Sequence, residues 1–275
     1  MSNPQPLTAG NSRVKEARKL SRRSVRSERR LFLADGPKAV EGALERPSRV
    51  VEVFATPAAA AEYADLLADA PVTLVDDRAL ASLSDSVTPA GLVGVVRFLD
   101  VALNRGFWQV EPRVGAPRAV HSDRLFAICA DVRDPGNAGT VLRCADAAGA
   151  DGVVLAGDSV DAYNPKTVRA SVGSLFHVPL AVERDASVAV RAAKDAGLTV
   201  LAADGGGEVD LFEADDLVGG NVVWLFGNEA WGLPPELAEL ADHRVRIPVL
   251  GRAESLNLAT AAAVCLYASA KNRRS

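Results

Sequence analysis

Between residues 125 and 271 the chain switches repeatedly between two hydrophobic periods, and this constrains its fold more than any single motif. Leu125-Phe126-Ala127-Ile128-Cys129-Ala130 is a continuous apolar run with the length of a strand buried on both faces. The pattern after it predicts a helix over 138–149, a strand over 152–156, a helix over 163–171, a strand over 175–180, a helix over 185–196, and strands over 198–202 and 221–226. A helix after Pro234, a strand over 244–247 and a helix over 257–271 complete it. Apolar strands separated by helices assemble as a mostly parallel sheet covered on both faces, so the expected class is α/β. Ligands of such sheets sit at the carboxyl ends of the strands.

A second, smaller α/β domain is expected upstream. Strands are predicted near 31–34, over Val50-Val51-Glu52-Val53-Phe54-Ala55, near 72–75 and over 92–98, with helices over 37–45 and 57–69. Residues 101–122 mix Pro, Gly, Arg and aromatics without a period and read as a linker. The expected domains are therefore 1–100 and 123–275. With 48% hydrophobic residues the chain can build real cores. No apolar run reaches the length of a membrane span and no secretory leader is visible, so a cytoplasmic protein is expected. Cys129, Cys144 and Cys265 show no ligand spacing and read as reduced core thiols. His121, His177 and His243 are equally isolated, and no metal site is expected.

The charge is concentrated. Residues 11–30 hold nine Lys/Arg against two Glu, a balance of +7 on a chain whose net charge is −4, which leaves −11 elsewhere. A basic segment on an acidic body is a docking surface for a polyanion. Arg18, Lys19, Arg22, Arg23 and Arg26 recur at helical spacing and are expected on one face of a single helix, along a phosphate backbone. An organelle transit peptide is the weaker reading, because Leu31-Phe32-Leu33 leads directly into the α/β pattern.

Three strand-to-helix junctions carry polar residues. The first, Asp131 to Arg143, contains the turn Pro135-Gly136, with Asn137 placed to cap a helix and Arg143 six residues on. The second, Gly227-Asn228-Glu229-Ala230-Trp231-Gly232-Leu233-Pro234, puts a glycine at a strand end and Glu229 at the rim. The third runs from Ile247 through Gly251, Ser255, Leu256 and Asn257 into an Ala-rich helix, which a second subunit could approach closely. Each alone is equally a capped turn.

Taken in order, NxGxxxR, GNExxGL and IPxxGxxxSLNxAxA, the chain resembles the SpoU/TrmH family of the SPOUT methyltransferases. Residues 164–179 resemble the family's stretch between its first two motifs, and the first hundred residues resemble its L30e-like substrate-binding domain. The resemblance implies a C-terminal trefoil knot and a homodimer with the site near the subunit interface. It also implies S-adenosylmethionine held by Ala203, Asp204, Gly205, Gly227, Asn228, Ile247 and Leu256. Arg143, Asn137, Glu229, Ser255 and Asn257 would serve methylation of a ribose 2′-hydroxyl in structured RNA, with 23S ribosomal RNA preferred to tRNA. A Rossmann-type enzyme using Gly205-Gly206-Gly207 lacks the GxGxxG spacing. An RNA-binding homologue without catalysis would have no reason to keep these five polar residues.

Overall fold

The computed structural model describes residues 5–109 and 123–273. It divides into two compact units: Met1–Leu99 with Asp161–His177, and Asp100–Val160 with Val178–Ser275.

The first unit is built on a four-stranded sheet of β1 (Leu31–Asp35), β2 (Val50–Ala55), β3 (Val72–Leu74) and β4 (Leu92–Arg97), in the order β1-β4-β2-β3. β4 runs antiparallel to β1 and β2, whereas β3 is parallel to β2. Helices begin where the sequence supplies caps and prolines: Thr56 accepts from the Ala59 amide ahead of Pro57–Glu62, and Asp76 accepts from the Ala79 amide ahead of Asp77–Ala81.

The basic segment departs from its expectation. It is two short helices, Ser12–Arg18 and Arg23–Arg29, separated by the 3-10 turn Lys19–Ser21 and an extended Arg22. Val14, Ala17 and Leu20 are buried in the unit's core, so packing rather than RNA sets the orientation of the first helix. Arg26 is 2% exposed; its Nε and Nη2 donate to Asp161 Oδ2 at 2.9 and 2.6 Å, and its Nη1 donates to the carbonyls of Leu20 and Ser21. It is therefore a core ion pair and not a phosphate contact. Lys19 and Arg29 both bond Glu16, which leaves Arg18, Arg22 and Arg23 as the exposed cations of the expected set.

The second unit carries a seven-stranded sheet: β5 (Leu125–Ala130), β6 (Gly152–Ala156), β7 (Leu180–Glu183), β8 (Thr199–Ala203), β9 (Val209–Asp210), β10 (Val222–Phe226) and β11 (His243–Arg246), ordered β7-β6-β5-β10-β8-β11-β9. Every pairing is parallel. β5, β6 and β10 are buried at every position, as their continuous apolar runs require. On one face the helix Leu258–Asn272 packs against Pro135–Ala147, and fully buried Trp224 on β10 donates from its indole to Ser269 at 2.9 Å.

Two segments behave differently from the expectation. Residues 101–109 were expected in a linker, yet Phe107 and Trp108 lie in the second unit's core, and Arg124 clamps them by donating to the Trp108 and Ala196 carbonyls. The rest of that expected linker, with His121, lies outside the described residues. The strand expected over 175–180 is the short helix Ser174–His177 followed, after Pro179, by β7. A short apolar run does not distinguish the two states, and Phe176 points into the first unit, stacking on Phe32 with centroids 6.0 Å apart.

Candidate active site

Because β5, β10, β8 and β11 are parallel and adjacent, their carboxyl ends lie along one edge of the sheet. That edge receives Asp131 and the 132–135 loop from β5, Gly227–Pro234 from β10, Ala203–Gly207 from β8 and Ile247–Asn257 from β11. The three junctions singled out in the sequence are thus brought together by register alone.

A hydrogen-bonded chain joins them. Glu229 Oε1 accepts from the Asp134 amide at 3.0 Å and from Asn137 Nδ2 at 3.1 Å, and Oε2 accepts from the Arg133 amide at 3.1 Å. Asn257 Nδ2 donates to Asn137 Oδ1 at 3.0 Å, while Asn257 Oδ1 caps the last helix through the Ala259 and Thr260 amides. The amide orientations follow from chemistry. An ionised carboxylate only accepts, so the Asn137 nitrogen must face it; its oxygen then faces Asn257, whose own oxygen is held by helix amides. One N–H on each asparagine has no acceptor among the described residues. Partial burial pushes the Glu229 carboxyl up, but the bonds from Asn137 and from the loop amides outweigh it and hold the group below the usual glutamate range.

The helix Pro135–Ala147 is capped not by Asn137 but by Asp134, whose side chain accepts from the Asn137 amide at 2.7 Å. The Asn137 side chain is thereby released for the site. Arg143 is exposed on the same helix and makes no hydrogen bond or ion pair among the described residues. Six residues at about 100° each place it on a different flank from Asn137, so one chain does not bring Arg143 to the Glu229–Asn137–Asn257 chain. Ser255 is exposed and equally unattached.

Asp131 and Asn228 emerge as organising residues. Asp131 follows β5 with a left-handed backbone, φ 55°, and its Oδ1 accepts from the Asp158 amide at 2.7 Å. Its carbonyl accepts from Asn228 Nδ2 at 2.7 Å, and Asn228 Oδ1 accepts from the Ala230 amide. Asn228, 6% exposed, thus staples the second junction to the first. Nothing local announces this role for Asp131; an Asx residue's tolerance of positive φ is the sole signal. A Cβ on Gly227 would lie 2.4 Å from the Gly232 carbonyl carbon, so the strand end requires glycine.

The residues expected around the cofactor share this edge. Asp204 receives the Gly206 amide on its side chain and the Gly207 amide on its carbonyl, closing a tight turn after Ala203. Gly205 faces open space within 4 Å of its missing Cβ. Amides of residues 249–256 are engaged by no other described residue, and Val249, Leu250 and Leu256 are exposed there at 41, 88 and 39%. A chain of free backbone donors beside apolar side chains suits a ligand that is part aromatic and part polar.

Residues 124–267 match the SpoU rRNA Methylase family model. The chain belongs to the SpoU rRNA methylase family. Residues 11–94 match an MRM3-like substrate binding domain. Among relatives, 23S rRNA (guanosine(2553)-2′-O)-methyltransferase RlmP of Bacillus subtilis is 30% identical over 263 residues, covering 94% of this chain and 96% of that one. An AdoMet-bound rRNA methyltransferase from Sinorhizobium meliloti superposes with a TM-score of 0.81 at 32% identity, over 97% of each chain. The SpoU methyltransferase AviRb from Streptomyces viridochromogenes, in complex with AdoMet, gives 0.79 at 29%, over 96% of this chain and 99% of that one. The α/β class and the two-part organisation expected of a SpoU enzyme are both present.

Proposed function

We propose that this SpoU enzyme transfers a methyl group from S-adenosylmethionine to a ribose 2′-hydroxyl of 23S ribosomal RNA in the cytoplasm. The observation that carries the reading is the Glu229–Asn137–Asn257 chain, which joins all three junctions at one sheet edge. The names of relatives that cover nearly the whole chain support ribosomal RNA over tRNA. The open turn at Gly205, the strand end at Gly227-Asn228, and the free amides near Leu256 fit the methyl donor, with Ala203, Asp204 and Ile247 at its margin. When bound, the donor supplies a methyl group already activated by its sulfonium.

The protein's task is then to align a weak nucleophile and accommodate its proton. Glu229 already accepts three hydrogen bonds and has lowered basicity, so it positions Asn137 and does not take the proton. The spare N–H groups of Asn137 and Asn257 hold the ribose oxygen and stabilise negative charge as it develops. Arg143, a permanent cation that cannot take the proton, stabilises the same charge and grips an adjacent phosphate, and the hydroxyl proton leaves to solvent water. Because Arg143 stands apart from its own subunit's chain of amides, we further propose a homodimer that carries it to the partner's site. Ser255 lies where substrate or cofactor would order the loop. The C-terminal trefoil knot belongs to the same proposal.

Mapping ribose methylation in ribosomal RNA from cells with and without the gene tests the reading. One 23S ribose is expected to lose its methyl group; unaltered 23S RNA together with an altered tRNA would reject it.

A further inference from the structure

The loop after β10 carries an indole that the methyl-transfer chemistry does not use. Trp231 is 60% exposed, and among the described residues Phe212, Trp231 and Tyr267 are the exposed aromatic side chains. Phe212 follows β9 and Tyr267 lies on the last helix, so of these rings only Trp231 stands on one of the three junctions. A lone apolar side chain at a surface is ordinary and by itself marks nothing. Rigidity and placement set this one apart.

Asn228 and Gly232 exchange two backbone hydrogen bonds, each 2.9 Å, and close residues 229–231 into a tight loop. Each residue leading to the indole is pinned. Asn228 Nδ2 donates to the Asp131 carbonyl at 2.7 Å, and the Ala230 amide donates to Asn228 Oδ1 at 2.8 Å. Between them, Glu229 accepts from the Arg133 and Asp134 amides and from Asn137. The backbone that carries the ring is therefore set before any ligand arrives, and a ligand meeting it loses little affinity to ordering the loop. Trp231 is two residues from Glu229, so their Cα atoms lie within about 7 Å of one another. Glu229 in turn holds Asn137, whose spare N–H is the proposed contact of the ribose oxygen.

We infer that Trp231 is the platform on which the base of the methylated nucleotide stacks. The inference deepens the methyl-transfer reading and rests on it. A nucleotide whose ribose oxygen sits on the Asn137 and Asn257 amides carries its own base a short way off, within reach of a ring on the same pinned loop as Glu229. An indole offers a large, rigid apolar face, and every base has a face to lay on it. A base can do so only when it is unpaired and unstacked from its neighbours. Trp231 thus selects an exposed nucleotide without reading which base it bears. The adenine of the methyl donor is the other ring expected at this edge, but it fits the free amides and apolar side chains of the loop after β11.

Trp108 and Trp224 are 1 and 0% exposed, so of the chain's three tryptophans Trp231 is the one open to acrylamide, and lifetime quenching reports whether it is covered. The test uses the full-length enzyme and 23S ribosomal RNA from cells lacking the gene. Acrylamide should quench the free enzyme, S-adenosylmethionine alone should leave that quenching unchanged, and the RNA should suppress it. Trp231→Ala should lower kcat/KM by about 5- to 150-fold, the effect of losing one stacked base, with the thermal midpoint and the affinity for S-adenosylmethionine unchanged. Trp231→Phe keeps an aromatic face and should recover most of the loss. An indole that stays open with RNA bound overturns the inference. So does one already covered in the free enzyme by a second copy, or covered by S-adenosylmethionine alone, and so do Ala and Phe variants of equal activity. Failure of the methyl-transfer reading would show separately, as wild-type enzyme that leaves this RNA unmethylated whether or not the RNA covers the indole.

Discussion

Asn137 sits between an acceptor that fixes its nitrogen and a donor that fixes its oxygen, and this gives its replacement a definite consequence. Asn137→Ala removes one donor aimed at the ribose oxygen and should lower kcat by about 10²–10³-fold, the usual effect of losing one such donor. Single-turnover transfer from labelled S-adenosylmethionine checks it; a fall only in RNA affinity would move Asn137 out of the reaction. Arg143→Lys keeps the charge but not the planar fork, so transfer should drop without a new inflection in the pH–rate profile. Unchanged activity would remove Arg143 from any essential role. Glu229 makes a pH prediction. Its carboxyl is held below the ordinary value of about 4.3, so folding favours the ionised form. That stability is fully present above the ordinary value and disappears as pH falls through the lowered one. The thermal midpoint of the wild type should therefore drop more steeply below about pH 4.3 than that of Glu229→Gln. Parallel curves would show that the carboxylate contributes nothing.

Among elements, the excursion Asp161–His177 leaves the parallel sheet after β6 and returns at β7 having packed in the first unit. Its anchor is the ion pair of Arg26 with Asp161, whose side chains are 3 and 11% exposed. Breaking a buried pair by removing one partner costs about 3–5 kcal/mol, because the other charge is left uncompensated. Arg26→Ala should accordingly lower the unfolding free energy by about that amount, whereas Arg26→Met with Asp161→Leu should recover much of it. Denaturant titration of the three proteins decides, and an undisturbed single variant would show that the pair is not in place. Tyr163, two residues on, stacks on Phe98 with centroids 3.8 Å apart, and its hydroxyl accepts from the Leu99 amide. The excursion is therefore tied to the end of the first unit's sheet by aromatic packing as well as by charge.

At the scale of the whole molecule, the outward side of the last helix fits the proposed dimer. Tyr267 is 53% exposed, while Ala261, Ala263, Val264 and Ala268 are half-covered. Small side chains on a helix let another subunit's backbone come close, and an exposed tyrosine there supplies a large contact area. Tyr267→Asp should yield a folded monomer by light scattering, with methyl transfer largely lost because Arg143 no longer reaches a partner's site. A monomeric wild type, or a monomeric variant that stays fully active, would reject the arrangement. Of the three thiols, Cys129 and Cys265 are buried as expected, and burial pushes Cys129 up to about 12; Cys144 is only half-covered. No described helix is long and apolar enough to cross a membrane.

What the sequence determined by itself was most of the second unit's parallel sheet. Apolar runs such as Leu125–Ala130 have one stable environment, the centre of a parallel sheet, and parallel register carries every strand end to the same edge. Asn137, Glu229 and Asn257 were singled out by the family resemblance, and the parallel sheet brings them into one hydrogen-bonded chain. Tertiary structure decided what depends on distant partners. Arg26 is helical in spacing and basic in character, and only Asp161, 135 residues away, makes it a core residue. The left-handed backbone of Asp131 and Val172, and the burial of Phe107 and Trp108 in a stretch without period, likewise follow from contacts no local pattern encodes. Position in the chain sets which groups can meet early and cheaply, but charge neutralisation and close packing are settled only when the whole core has formed.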